Sequence, residues 1–517
     1  MVFQNENTYL RMKSSGKEDE FDRNYDNAIV TIEKDYFGKE YPILVPKERK
    51  KSNKISDVSP LTGKVIATFQ ASEKDDVSEA IVHLKKAQKE WYSRGYIERS
   101  LLLLNAADNL SKRKYIFSAI LAYENGKNRY EAMGDVDEAI DFMRYYALNL
   151  IENQGFERLT GKAYYSEETY SMMKPYGVFA VIAPFNFFSI TVGMTVAPLV
   201  TGNAVLLKPS SDIPLSSYLF VKLLHDSGLP EDIICFLTGS GESLGDAISS
   251  NDDVAGLVFT GSRETGMNLY HKFTAKSPKV VITEMGGKDA IIVTEKANLE
   301  KAVSGVLRSA FGYSGQKCSA CSIVFVQDGI YDTFMDKFMD AVRKMKVGDI
   351  RKKENFMGPV VNKSAFEKYK RISELLPKEG KILTGGKTIP GDGFFVEPTV
   401  IEDLKENSFV LKDELFLPIL AAVKVKTLKE AIDRINAMDY GLTGGIFTED
   451  PDEIREYFDN IEVGVIYANR SSGGSSGAMV GSQAFVGWKM SGSTGKGTGS
   501  FYYLTQFLRE QSQTIVH

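Results

Sequence analysis

The feature that most constrains the fold is an alternation that begins at Pro175. Five short apolar runs, GVFAVI, AVLLK, DIICFL, GLVFT and KVVITE, are separated by ITVGMTVAPLV, PLSSYLFVKLLHD, ESLGDAISS and RETGMNLYHKF, which carry helical spacing. Strands apolar on both faces need cover on both faces, and parallel strands joined by crossover helices supply it. The alternation predicts an α/β fold with a Rossmann-type dinucleotide domain, its ligands gathered at the carboxyl ends of the strands. A second alternation runs from Ala290 to about Asn469, with SIVFVQ as a strand and YDTFMDKFMDAVRKM as a helix, and predicts a second α/β domain.

Ahead of both, Glu73 to Tyr130 repeats apolar residues at three and four, as in VSEAIVHLKKAQKEW and RSLLLLNAADNLSKRK, and DVDEAIDFMRYYALNLIENQ continues the pattern. Residues 1–45 are polar and charge-mixed and read as an arm before the main body. RSSGGSSGAMVG reads as a glycine/serine loop. No internal repeat is present. The expected units are the arm, a cofactor domain over 46–285, a catalytic domain over 286–470 and a C-terminal segment over 471–517. With 517 residues, two or three domains of about 100–200 residues are expected.

Composition narrows the function classes. Hydrophobic residues make up 43% and charged residues 25%, the balance of a globular protein. A net charge of −5 argues against a general nucleic-acid binder. No run approaches the roughly 20 apolar residues of a membrane span. The opening MVFQNENTYLRMKSSGKEDEFDR lacks the apolar core of a signal. Three cysteines build no disulfide framework, and a reducing cytoplasm is the simplest compartment.

Several segments carry possible chemistry. In FGYSGQKCSACS, Cys318 sits in a polar, glycine-containing stretch before an apolar run, where a loop can present a thiolate to a cleft. The alternative is a buried structural cysteine. Cys318 and Cys321 also form a C-x-x-C pair, open to a redox or zinc reading. Zinc would need more ligands than one further cysteine and four scattered histidines supply. Cys235, inside IICFL, reads as core.

Glu284 ends an apolar strand before two glycines and is a candidate general base, or else a solvated strand end. GSGESLG offers Gly241 and Gly245, and FTGSRETG offers Phe259, Gly261, Ser262 and Gly266. Each joins a strand to a helix, where backbone N–H groups can meet a pyrophosphate, although neither has the G-x-G-x-x-G spacing. Asn186 follows a strand in APFNFF and could donate to an oxyanion. Lys208 ends the strand of LLKPSS, suited to ribose or phosphate oxygens. Turn asparagines, turn glycines and surface lysines are the plain readings of the same residues.

Taken together, Asn186, Lys208, the glycine turns, Glu284 and Cys318 occur in the order and spacing of the aldehyde dehydrogenase superfamily, which the chain resembles from about residue 25 to 510. DELFLP resembles that family's E-x-F-G-P segment, which implies Glu414 at the nicotinamide ribose and Phe416 beside the ring. Within the superfamily, FQNENTYLRM, ENGKNRYEAMGDVDEAIDFMRYYA, GGKDAIIV with GQKCSACS, and the stretch from Ala468 to Gly492 are most similar to the Δ1-pyrroline-5-carboxylate dehydrogenase branch, which oxidises L-glutamate γ-semialdehyde. Leu417, Val486 and the lengthened RSSGGSSGA depart from its pattern. Ser211 stands where many NAD-preferring relatives carry Glu.

The resemblance implies a cofactor domain, a catalytic domain and a small oligomerisation hairpin at 151–173. It implies NAD as cofactor, with NADP possible, an aldehyde substrate, no metal, and a homodimer or assembly of dimers. Cys318 would be the nucleophile, Glu284 the base and Asn186 an oxyanion donor. Ser319, Gly499 and Ser500 would hold the substrate carboxylate, and Glu138 would lie near its amino group. Helical spacing alone reads Glu138 as a solvated face. Two other readings stay open: a dehydrogenase for another semialdehyde or a phosphorylated aldehyde, and a catalytically silent scaffold.

Overall fold

A computed structural model describes residues 3–471 and 479–517. The glycine/serine loop read at RSSGGSSGA therefore falls largely outside the described residues.

The five apolar runs form the parallel strands Val178–Ile182, Ala204–Lys208, Ile234–Phe236, Val254–Thr260 and Val280–Glu284. Numbered along the chain they lie in the order 5-4-1-2-3. The order reverses beside Val178–Ile182, and the carboxyl ends there are where such a sheet places its ligands. Helices α6 (Phe188–Val200), α7 (Pro214–Asp226), α8 (Gly241–Ser249) and α9 (Arg263–Thr274) connect the strands. α6 is buried almost throughout, as an apolar helix inside a large core must be.

The second seven-stranded sheet has Asp289–Val293 near its centre, between Cys321–Gln327 and Thr443–Phe447, all parallel. Four residues, Met285–Lys288, carry the chain from the last strand of one sheet to the first of the other.

The helical region before the first sheet comprises α3 (Lys74–Ser93), α4 (Gly95–Asn125) and α5 (Arg129–Glu152). Residues 1–45 differ from the expected arm. α1 (Thr8–Ser14) and α2 (Glu18–Asp35) pack into the body, with Phe21, Tyr25, Ala28 and Ile32 of α2 buried. Arg129 of α5 bonds Asp22 (2.8 Å) and Asp26 (3.0 Å) of α2. Ile43–Val45 then joins the first sheet, antiparallel to Ile234–Phe236. The polar composition hid a helix that is apolar along one stripe only. Glu157–Leu159 and Glu167–Pro175 form an antiparallel hairpin, and Leu508–Val516 adds a third strand to it.

In the first sheet, Gly256 pairs with Phe179, which is fully buried. A Cβ on Gly256 would fall 2.2 Å from the Phe179 ring. Gly256→Ala is therefore expected to destabilise the fold by about 1–3 kcal/mol through overpacking, read as a lower urea midpoint. An unchanged midpoint would show that the ring repacks freely.

Candidate active site

The chain's short crossover between sheets brings the candidate base and nucleophile together. Glu284 is the last residue of Val280–Glu284, and Asp289 opens the next strand paired with Cys321. Cys318 lies three residues ahead of that pairing. The residue is 8% exposed, and its thiol is pushed well up, first by burial and then by the charges of Asp289, Glu414 and Glu284. Its own backbone N–H opposes this by favouring the thiolate.

Glu284 is half-buried, and its Oε2 is sealed from solvent with no hydrogen-bond partner among the described residues. Burial holds its carboxyl well above the usual range, while the Gly487 N–H favours ionisation. A Cβ at Gly487 would come within 2.8 Å of Oε2, so that position carries close backbone contact. Sequence reasoning gave Gly487, next to the departing Val486, no role.

Asn186 is buried, and its Nδ2 donates to the backbone oxygen of Gln316 (3.2 Å), two residues before Cys318. Its position depends on Asp135 of α5, which accepts from the N–H groups of Phe188 (3.0 Å) and Ser189 (2.8 Å) in the first turn of α6. Asp135 is paired with Lys127 at 2.6 Å, both fully buried, and the Lys127 ammonium lies 3.8 Å from the Phe187 ring centroid. Breaking such a pair typically costs about 3–5 kcal/mol. No local sequence signal marks this pair, because its partners come from α5, α6 and the turn between α4 and α5.

At the crevice, Lys208 is 6% exposed and donates to Pro209 O (3.1 Å). Burial lowers its pKa to about 8, with Asp212 opposing. An ammonium has three donors, so capacity remains for a further acceptor. Ser211 is exposed in the turn that follows. Gly241 begins α8 and Ser262 caps α9, accepting from Thr265 N (3.3 Å). Gly261 and Gly266 have no room for a Cβ. It would fall 2.6 Å from Phe259 in the first case and 2.5 Å from Met285 in the second. Phe259 is itself buried beneath these turns. A Cβ on Gly245 would meet Leu269 at an ordinary 3.8 Å.

Glu414 lies on the crossover: it accepts from Gly287 N (3.1 Å), and its carboxyl occupies the space a Cβ on Gly286 would need. Burial raises it to about 7. Phe416 has a left-handed φ of 58° and meets Phe185 edge-on at 5.8 Å. Buried lysine, capped helix starts and crowded glycines fit a dinucleotide whose phosphates approach the backbone closely.

Toward α5, Ser319 is buried beside Cys318. Glu138 is half-buried, accepts from Ser189 Oγ (2.6 Å) and is raised to about 7 by burial. The solvated-face reading of Glu138 is thus overturned, because α6 covers that side of α5. Gly499 and Ser500 were expected as open donors. Instead Gly499 N donates to Tyr146 OH (3.0 Å) and Ser500 N to Gly497 O (3.1 Å). Tyr146 lies eight residues from Glu138, on the same face of α5.

Cys321 is buried at the strand start and donates to Ile323 O (3.2 Å); Cys235 is core. Among the described residues no group of three or more His, Cys, Asp and Glu could hold a metal ion.

This arrangement can hold a dinucleotide beside a thiol, a buried carboxyl and an amide donor. A model of the aldehyde dehydrogenase family matches residues 47–512, and the chain belongs to that family. It is 36% identical over 499 residues to a 1-pyrroline-5-carboxylate dehydrogenase of Bacillus licheniformis, covering 95% of each chain. Identity to one from Halalkalibacterium halodurans is 37% over 500 residues, again 95% of each. A solved structure of 1-pyrroline-5-carboxylate dehydrogenase from Thermus with bound NAD superposes with a TM-score of 0.94 at 32% identity. The superposition covers 100% of this chain and 99% of that one.

The raised pKa of Glu284 has a consequence for stability. The folded state keeps a proton that the unfolded state, with an ordinary value of about 4.3, releases. The resulting stabilisation is complete below about pH 4.3 and is lost as pH rises through the folded-state value. Glu284→Gln should therefore gain thermal midpoint relative to the parent as pH rises, with the gap closing toward acid. A gap independent of pH would show that Glu284 does not titrate in this way.

Proposed function

We propose that this chain oxidises L-glutamate γ-semialdehyde, the open form of Δ1-pyrroline-5-carboxylate, to L-glutamate with NAD as oxidant, in proline degradation. The observation that carries this is similarity along nearly the whole chain to dehydrogenases of that name. The chemistry follows from the site. Glu284 or water takes the Cys318 proton, and the sulfur adds to the aldehyde carbon. The Asn186 amide and the Cys318 N–H stabilise the oxyanion, one good donor contributing roughly 3–4 kcal/mol. NAD, when bound, would supply the acceptor for the hydride leaving the thiohemiacetal carbon, and Cys318 would then carry the thioester. Glu284 then draws a proton from water, which attacks the thioester and frees the acid and the thiol.

Lys208, Ser211, the turns at Gly241, Gly245, Gly261, Ser262 and Gly266, with Phe259 beneath them, and Glu414 and Phe416 hold the cofactor. Ser211 is exposed and uncharged, so NADP is tolerated. Ser319, Gly499 and Ser500 anchor the substrate carboxylate, with Gly499 N–H exchanging its internal bond to Tyr146 for one to the substrate. Glu138 faces the amino group. The cofactor domain is 46–285, the catalytic domain 286–470, and the hairpin with Leu508–Val516 is the oligomerisation element of a homodimer or assembly of dimers. Exposed Leu159, Tyr164, Ile515 and Val516 support an interface there. Three free cysteines suit a cytoplasmic setting. Among the described residues no helix is long and apolar enough to cross a membrane.

Two measurements test this reading. Glutamate semialdehyde should exceed pentanal in kcat/KM by on the order of 100-fold or more, because pentanal leaves the anchor donors unpaired. Equal use of both aldehydes would refute the substrate. In stopped flow, Cys318→Ala should form no NADH. Glu284→Gln should give one rapid turnover and then stall as a thioester, and steady turnover at the parental rate would remove Glu284 from the base role.

A further inference from the structure

Residues 3–8 reach the loop that carries Gly499, although they lie almost five hundred positions away in sequence. The Asn5 side-chain amide donates twice, to Asp141 Oδ2 of α5 (2.9 Å) and to Val480 O (3.0 Å). One planar group thus bridges the helix that bears Glu138 and Tyr146 and the segment before Gly499. Glu6 N closes a second bond to Asp141, at 2.9 Å.

The neighbouring contact extends this bridge to the anchor. Gly481 has φ +71°, and its N–H donates to Gly499 O (3.0 Å). A Cβ on Gly481 would meet Tyr145 at 2.9 Å and Phe3 at 3.0 Å, so the two rings close over that glycine. Phe3 and Tyr145 are themselves edge-on at 5.2 Å. A Cβ on Gly499 would in turn lie 3.2 Å from Val480 Cα. Val480 and Gly481 are thus held by Asn5 on one side and Phe3 on the other, and together they back the Gly499 turn.

The segment is itself firmly seated. Thr8 gives its N–H and hydroxyl to Asp137 (2.6 and 2.7 Å), and Glu6 is paired with Lys114 (3.0 Å) and Arg144 (2.5 Å). Those contacts do not involve Asn5, so loss of its amide leaves the seat in place.

We propose that Asn5 is a positioning residue for substrate selection: by tying Val480 to Asp141 it sets the Gly499 turn against α5 and so fixes the carboxylate anchor. The proposal rests on the substrate assignment above and extends it to a residue that touches no reacting atom. Geometry at such anchors is demanding, since a displacement of about 1 Å can cost 100-fold in rate. Asn5 should therefore act on recognition of the carboxylated aldehyde and leave the chemistry of an unanchored one alone.

The test compares parent and Asn5→Ala on glutamate semialdehyde and pentanal, with hydrogen exchange of the peptide containing Gly481. The variant should raise KM for glutamate semialdehyde about 10-fold with kcat within twofold, keep pentanal kcat/KM within twofold, and exchange Gly481 faster while α5 is unchanged. An equal loss on both aldehydes, or no loss on either, overturns the positioning role. If the parent itself fails to prefer the carboxylated aldehyde, the substrate assignment fails. Faster Gly481 exchange in Asn5→Ala would still support the tie to the loop, and unchanged exchange would overturn it. Should Asn5→Ala unfold, Asn5→Asp, which keeps size but removes the donors, takes its place under the same criteria.

Discussion

The structure depends on a four-residue constraint. Met285–Lys288 is too short to let the two large sheets separate, since four extended residues span at most about 14 Å. The end of Val280–Glu284 in the first sheet and the start of Asp289–Val293 in the second must therefore lie close together. Pairing of Asp289 with Cys321 then brings Cys318 to the junction where Glu284 ends its strand. Gly286 is required there because the Glu414 carboxyl fills the space of a Cβ, and Gly287 because the Asp289 carboxyl and the Cys318 carbonyl do.

That junction is buried, and burial sets which protonation states its groups favour. Cys318 and Glu284 are both driven toward their neutral forms by burial, and acidic neighbours push the thiol further. Asn186, which bonds the chain two residues before Cys318, and the Cys318 N–H are the donors proposed for the oxyanion. Asp135 and Lys127 behind Asn186 are a buried ion pair with extra hydrogen bonds, the form in which such a pair holds geometry.

The strands and helices of the first sheet were legible because each is apolar in its own characteristic period. The 5-4-1-2-3 order was not, since it depends on which strand edges meet. Residues 1–45 were misjudged: α2 exposes most of its surface, and four buried residues in eighteen are a weak signal. Glu138 was misjudged for the opposite reason, because nothing in α5 announces that α6 will cover it. Gly487 and Tyr146 escaped notice since each acts through a partner more than two hundred residues away.

By itself the sequence determined the α/β class and offered the candidate reactive groups. Both are local properties: apolar periodicity follows from strand and helix geometry, and nucleophile, base and amide are chemical types at recognisable spacings. Only the tertiary structure decided that Glu284 has a sealed oxygen, that the Gly499 and Ser500 amides already have partners, and that Asn5 reaches Val480. Burial and hydrogen bonding between segments far apart in the chain are set by packing, and packing has no local signature.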